Sequence, residues 1–290
     1  MFSGCATALV TPFKPNGDLD EEGLRQLVAF QESEGVDAIV PCGTTGESAT
    51  LTHKEHIRVI EIVRDEAKRA HIIAGAGSNA THEAIHLTRA AKDLGADAVL
   101  SISPYYNKPT QKGLYSHYEA IERAVDIPVI VYNVPGRTGS NINASTIARL
   151  AKLPNIVGVK EASGNMAQIM AILAEVDADF NVISGDDALT FPLMTMGAKG
   201  VISVTSNIVP GLVADMTHAA RDGDWKKARE IHFHLLPLFT NLFVETNPIP
   251  AKTALRLLGK PGGSLRLPLT EMEPANLEIL RKTLSDLKLL

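Results

Sequence analysis

A lysine closes an otherwise apolar run, Asn155-Ile-Val-Gly-Val-Lys160. An ammonium group is costly to hold at a buried strand end, so desolvation favours the neutral amine, a nucleophile that attacks carbonyl carbon and forms Schiff bases. The plainer reading pairs Lys160 with Glu161 or sends it into solvent at a rim, and position alone does not choose between them. Tyr132 ends the preceding run, Pro128-Val-Ile-Val-Tyr132, where a phenol beside an amine could shuttle protons; a strand-end tyrosine with its hydroxyl at the surface is the ordinary alternative. Gly43-Thr-Thr-Gly-Glu47 offers two hydroxyls and loop N–H groups to a small carboxylate, or is simply a closed glycine turn. Arg137, framed by Val134-Pro-Gly-Arg-Thr-Gly139, could fork a carboxylate or lie on the surface. Pro104-Tyr-Tyr-Asn-Lys-Pro109 puts two aromatics on a stiff loop, the composition of a rim or a subunit interface.

Two other patterns compete. Gly75-Ala-Gly-Ser-Asn-Ala80 matches the dinucleotide signature GxGxxA, but as the third strand–helix unit of a chain with no other such feature. His53 and His56 stand three apart on a helix, without a compelling third metal ligand. They read as solvated helix residues, with a small-molecule role second.

The elements that would position these groups alternate regularly. Eight short apolar runs, Gly4–Val10, Asp37–Pro41, His71–Gly75, Asp97–Ser101, Pro128–Asn133, Asn155–Lys160, Phe180–Gly185 and Gly200–Val204, are continuous as in parallel strands covered on both faces. Between them lie helix-period segments: Asp20–Glu34, Thr52–Arg69 with a capping box at Thr52 and Glu55, and Thr81–Leu94. A repeated Gly-x-Asp (Gly35 to Asp37, Gly95 to Asp97) stops a helix before a new strand. The spacing predicts a (β/α)8 barrel over residues 1–222, in which reactive groups belong at the carboxyl ends of strands. A doubly wound open sheet would normally have fewer strands. Residues 223–290 carry no strand signal and read as a helical extension, with Pro248 and Pro250 breaking one helix and Pro274–Leu290 forming another.

With 290 residues, 45% of them apolar, the chain can bury a large core, and a net charge of −5 without basic runs argues against a nucleic-acid binder. The start, MFSGCATALVTPF, reads as a strand and not a signal peptide, no segment suggests a membrane span, and two cysteines without CxxC suggest free thiols of a reducing compartment. A cytoplasmic protein is expected.

Five motifs in order carry a resemblance over essentially the whole chain: Gly43-Thr-Thr-Gly-Glu-Ser48, Pro104–Pro109, Tyr132-Asn-Val-Pro-Gly-Arg-Thr-Gly139, Gly158-Val-Lys-Glu-Ala162 and Asn247-Pro-Ile-Pro250. The chain resembles the dihydrodipicolinate synthase / N-acetylneuraminate lyase family. The resemblance implies that Lys160 holds pyruvate as a Schiff base. It implies a proton relay of Tyr132, Thr44 and Tyr106, the last reaching in from a neighbouring subunit. Thr45 would help hold the pyruvate carboxylate, backbone groups of Gly185 and Ile202 would contribute to the pocket, and Arg137 would grip the carboxylate of aspartate semialdehyde. That arginine, generally lacking in the lyase branches, favours the synthase branch. Ser48, Ala49, His53, His56, Asn79, Glu83 and Tyr105 match an L-lysine effector site at a dimer interface, a better reading of the two histidines than metal. No metal or organic cofactor is expected, and a homo-oligomer, a dimer or dimer of dimers, is. The rivals are another pyruvate aldolase acting on sialic acid or keto-deoxy sugar acids, a dinucleotide oxidoreductase built on Gly75–Ala80, and a lysine-binding regulator without turnover.

Overall fold

The computed structural model describes residues 3–290; Met1 and Phe2, the first residues of the stretch MFSGCATALVTPF, lie outside them. Eight parallel strands close in sequence order into a barrel: β1 Gly4–Ala8, β2 Ala38–Val40, β3 His71–Gly75, β4 Ala98–Ile102, β5 Val129–Asn133, β6 Ile156–Glu161, β7 Asn181–Ser184 and β8 Gly200–Ser203. Each agrees with its sequence run to within two residues at either end. Around them lie α1 Glu21–Ser33, α2 His53–Glu66, α3 Thr81–Asp93, α4 Gln111–Ala124, the single turn α5 Pro135–Thr138, α6 Ala144–Leu150, α7 Met166–Glu175, α8 Asp187–Thr195 and α9 Pro210–Arg221. Beyond these come α10 Trp225–Asn241, α11 Ile249–Leu257 and α12 Pro274–Asp286. No helix among the described residues is long and apolar enough to cross a membrane.

The continuous apolar runs exist because each strand is buried on both faces. Ala6, Ala8, Val40, Ile73, Leu100 and Ile130 fill the barrel interior. Their alternates, among them Ile39, Ile72, Val99, Val131 and Val182, join the inner faces of the helices in a second, larger cluster. Closure needs two glycines. Gly4 pairs with Gly200 across the β1–β8 seam, where a β-carbon on Gly200 would stand 1.9 Å from the Gly4 carbonyl oxygen.

The Gly-x-Asp repeat has a physical cause beyond stopping a helix. Gly35 and Gly95 take φ of +85° and +82°, a conformation that costs glycine little. The aspartates then reach back one strand: Asp37 Oδ2 accepts from Cys5 N at 2.8 Å, and Asp97 Oδ2 from Ile72 N at 2.7 Å. Each carboxylate therefore ties the start of its strand to the one before. The capping box forms as the sequence suggests, with Thr52 N donating to Glu55 and Glu55 N to Thr52.

The C-terminal segment departs from expectation. Pro248 and Pro250 do not merely end a helix; they start α11, since proline is tolerated in the first turn, where no intrahelical N–H bond is lost. From α11 the Lys252 side chain enters the barrel's upper rim with no exposed surface. There Nζ donates to Glu47 Oε1 at 2.5 Å, Thr11 O at 2.9 Å and Ser264 O at 2.6 Å. Burial pulls this amine down to about 8 against the opposing pull of Glu47. Glu47, at φ +52°, also accepts from Arg266 N, so one ion pair joins the β2 loop to the C-terminal helices.

Lys252→Ala would leave the Glu47 carboxylate buried without its counter-charge, a loss of about 3–5 kcal/mol. Urea unfolding is expected to show that drop, and Glu47→Gln combined with Lys252→Met should recover part of it. An unchanged midpoint in Lys252→Ala would refute the account.

Candidate active site

The carboxyl ends of the strands open onto a cavity of about 460 Å³. Lys160 stands at its floor, 5% exposed, on the penultimate residue of β6. It does not pair with its neighbour. Glu161 points the other way, accepting from Asn133 at 3.0 Å and Ser163 N at 2.7 Å. Burial is the main influence on the Lys160 amine and draws it down to about 8, with Arg137 acting in the same direction and the Asp187 carboxylate opposing. Near neutral pH, such a shift raises the unprotonated fraction by about two orders of magnitude over an ordinary lysine.

Register explains the phenol. Tyr132 on β5 is the direct neighbour of Lys160 on β6, so both side chains leave the sheet on the same face, and the amine lies 4.4 Å from the ring centroid. Burial pushes the Tyr132 hydroxyl upward, while a hydrogen bond with Thr44 and the charge of Arg137 pull it back. Thr44, Thr45, Arg137 and Gly185 also line the cavity. A β-carbon on Gly185 would stand 2.6 Å from the Ala162 Cβ and 3.0 Å from the Lys160 Cε, so glycine spares both side chains. Ile202 lies in the barrel interior and does not line the cavity; Val204 does. Tyr106 is elsewhere. It sits in its loop at φ +72°, 89% exposed and outside the cavity of its own chain.

Several contributors were missed by sequence reasoning. Phe239 and Thr240 of α10, with Phe243 just past its end, wall one side of the mouth, although nothing in the sequence distinguishes them from packing residues. Asn247 also lines it, donating through Nδ2 to Thr45 Oγ1 at 2.9 Å, while its carbonyl accepts from Arg137 at 3.3 Å. The signal available in the sequence is the Asn247-Pro-Ile-Pro250 motif. Asp187 is fully enclosed. Its Oδ2 takes Val204 N, Thr205 N and Thr205 Oγ1 at 3.0–3.1 Å, fixing the start of α8 to the residues after β8, and burial raises its carboxyl.

A second cavity of about 460 Å³ shares Thr44, Arg137 and Asn247 with the first. Ser48, Ala49, His53, His56, Glu83 and Tyr105 line it. Asn79 does not; it donates to the Tyr105 carbonyl at 3.1 Å and steadies that loop. Glu83 is bridged by Ser78 and by His53, the latter at 2.7 Å, and these bonds, Ser78 first, lower its carboxyl. His56 is not a solvated helix residue. It is buried against the Gly75 carbonyl at 2.7 Å, with burial pulling its imidazole down. A gap of about 40 Å³, bordered by Thr44, Ser48, His56 and Tyr132, lies between the two cavities. Among the described residues no three metal-ligating side chains converge. The glycines of Gly75–Ala80 serve packing: β-carbons on Gly75 and Gly77 would collide with Cys42 O at 2.1 Å and Ile102 N at 2.3 Å.

The sequence pattern of the dihydrodipicolinate synthetase (DHDPS) family matches residues 1–287. The chain belongs to that family. A 4-hydroxy-tetrahydrodipicolinate synthase of Syntrophobacter fumaroxidans is 56% identical over 286 residues, 98% of each chain. Among solved structures, the dihydrodipicolinate synthase of Aquifex aeolicus is 51% identical with a TM-score of 0.97, covering 99% of both chains. The DHDPS of Cyanidioschyzon merolae with lysine bound is 45% identical, also at 0.97, over 100% of this chain and 99% of that one. A DHDPS-family barrel is thus similar to this chain from end to end, helices α10 to α12 included.

Only the neutral amine attacks a ketone, and a depressed amine is neutral above its own midpoint. The initial rate of borohydride trapping at subsaturating pyruvate is therefore expected to rise with pH and bend near 8. Arg137→Ala removes a charge that holds the amine down, so its bend should move to higher pH. A rate without a bend between pH 6 and pH 9 would contradict this electrostatic account.

Proposed function

We propose that this chain is a 4-hydroxy-tetrahydrodipicolinate synthase, condensing pyruvate with L-aspartate 4-semialdehyde on Lys160. The observation that carries the reading is a buried, depressed amine paired in register with a phenol, at the floor of a cavity that also receives a guanidinium. The end-to-end likeness to synthases of that name supports it.

Neutral Lys160 attacks C2 of pyruvate; Thr45 and neighbouring loop groups receive the carboxylate. Tyr132, hydrogen-bonded to Thr44, returns a proton to the carbinolamine oxygen, which leaves as water. Loss of a C3 proton converts the iminium into an enamine, whose carbon attacks the aldehyde of the second substrate while Arg137 holds its carboxylate. The product's own amine then adds to C2 and displaces Lys160, closing the ring and freeing the enzyme. The imine is the electron sink. Tyr106 completes the relay from a second copy of the chain, a role that its exposure outside its own cavity leaves open to it. A homo-oligomer, a dimer or a dimer of dimers, follows from that role, and two buried free thiols accord with a cytoplasmic setting. L-lysine occupies the second cavity as effector, its ammonium on Glu83. The lysine carried by the Cyanidioschyzon relative supports this assignment.

Borohydride with pyruvate should leave a covalent adduct on Lys160 that Lys160→Ala abolishes; an untouched Lys160 would defeat the mechanism. Arg137→Ala is expected to keep trapping while losing condensation with aspartate semialdehyde by about 100-fold or more, as for a bidentate charged contact. A sugar acid lyase would show no such dependence. Saturating lysine should lower the rate in the coupled assay, and Glu83→Ala should raise the lysine needed by about 10-fold or more. Unchanged inhibition in that variant would remove the second cavity from the account.

A further inference from the structure

Asn247 stands where the two carboxylate receptors meet, yet it is on neither the loop after β2 nor α5, which supply them. It lies between α10 and α11, buried, with its backbone oxygen on Arg137 and its amide nitrogen on Thr45. Its side-chain oxygen has no partner, so the amide acts on its surroundings through the N–H edge alone. A threonine hydroxyl has one proton to give and two lone pairs. When Nδ2 of Asn247 donates to Oγ1 of Thr45, one lone pair is used and the proton stays free. No acceptor among the described residues takes that proton, and Thr45 faces the cavity floored by Lys160.

We propose that Asn247 is a positioning residue of the pyruvate subsite, holding the Thr45 hydroxyl as a pure donor toward the substrate carboxylate. This deepens the pyruvate reading above and rests on it. An incoming carboxylate accepts only; a Thr45 hydroxyl already committed as a donor elsewhere would present it with lone pairs. Asn247 prevents that arrangement by filling the position from which a competing acceptor would draw the proton. The C-terminal segment thereby belongs to the binding site as well as to the scaffold.

The chemistry separates this role from simple packing. Asn247→Asp preserves size and shape but replaces the donor with an acceptor, which takes the Thr45 proton and adds negative charge beside the substrate. Asn247→Ala removes the donor and installs no competitor. If packing were all that mattered, the isosteric aspartate would be the milder change. The expected order is the reverse: KM for pyruvate rises by about 10-fold in Asn247→Ala and further in Asn247→Asp, with kcat falling less than KM rises. Thr45→Val should raise it similarly, and the double variant Thr45→Val, Asn247→Ala should lie within about 2-fold of the worse single one. Borohydride trapping at saturating pyruvate reads out folded, competent protein in every variant. A milder aspartate than alanine, or multiplicative effects in the double variant, would overturn the inference alone. Absence of trapping in the unaltered protein would overturn it together with the pyruvate reading.

Discussion

A primary amine kept out of water at the end of β6 sets the terms for everything around it. A charged ammonium there would have to be matched by a carboxylate or neutralised, and the fold stays between the two. Asp187 supplies enough opposing charge to keep the amine from falling further, but two backbone N–H groups and a hydroxyl share its oxygen, which keeps the carboxylate off Lys160. Arg137 presses in the other direction. Glycine at 185 leaves the lysine stem room. The midpoint of this amine is a compromise between burial and two charges on α5 and α8, the helices that follow β5 and β7, brought together because a closed barrel gathers its strand ends at one mouth.

The same burial recurs at Lys252 with a different outcome. That amine is as enclosed as Lys160 and as far depressed, yet it touches Glu47 directly and donates to two carbonyls besides. Both amines lie over an aromatic ring, but one has filled its donor sites while the other faces an open cavity. Burial alone does not leave an amine free for an incoming ligand, since its donors must also be unsatisfied.

Much of this was legible in the residues because strand alternation is local. The eight runs could be read from continuous apolar stretches, and Tyr132 and Lys160 were adjacent as soon as β5 and β6 were taken as neighbours. The repeated Gly-x-Asp announced its helix stops, although not that Asp37 and Asp97 would reach back to the previous strand, because that bond depends on register. What stayed hidden was contributed across long separations. Asn247 meets Thr45 from 202 residues away, and Phe239 looks like any core aromatic until α10 is laid against the mouth. His56 carries a polar side chain on a charged helix, and only the Gly75 carbonyl beneath it reveals why it is buried.

The glycine seam between β1 and β8 bears on synthesis. β1 leaves the ribosome long before its partner, since Gly4 pairs with Gly200. At about 5–20 residues per second, that edge waits roughly 10–40 s with its backbone unpaired. Exposed edges rich in Val, Ile and Phe template aggregation. β1 reads Gly-Cys-Ala-Thr-Ala, small residues with little surface to offer a stray strand. The composition that lets the barrel close tightly is thus also the one that keeps a nascent chain out of trouble while it waits.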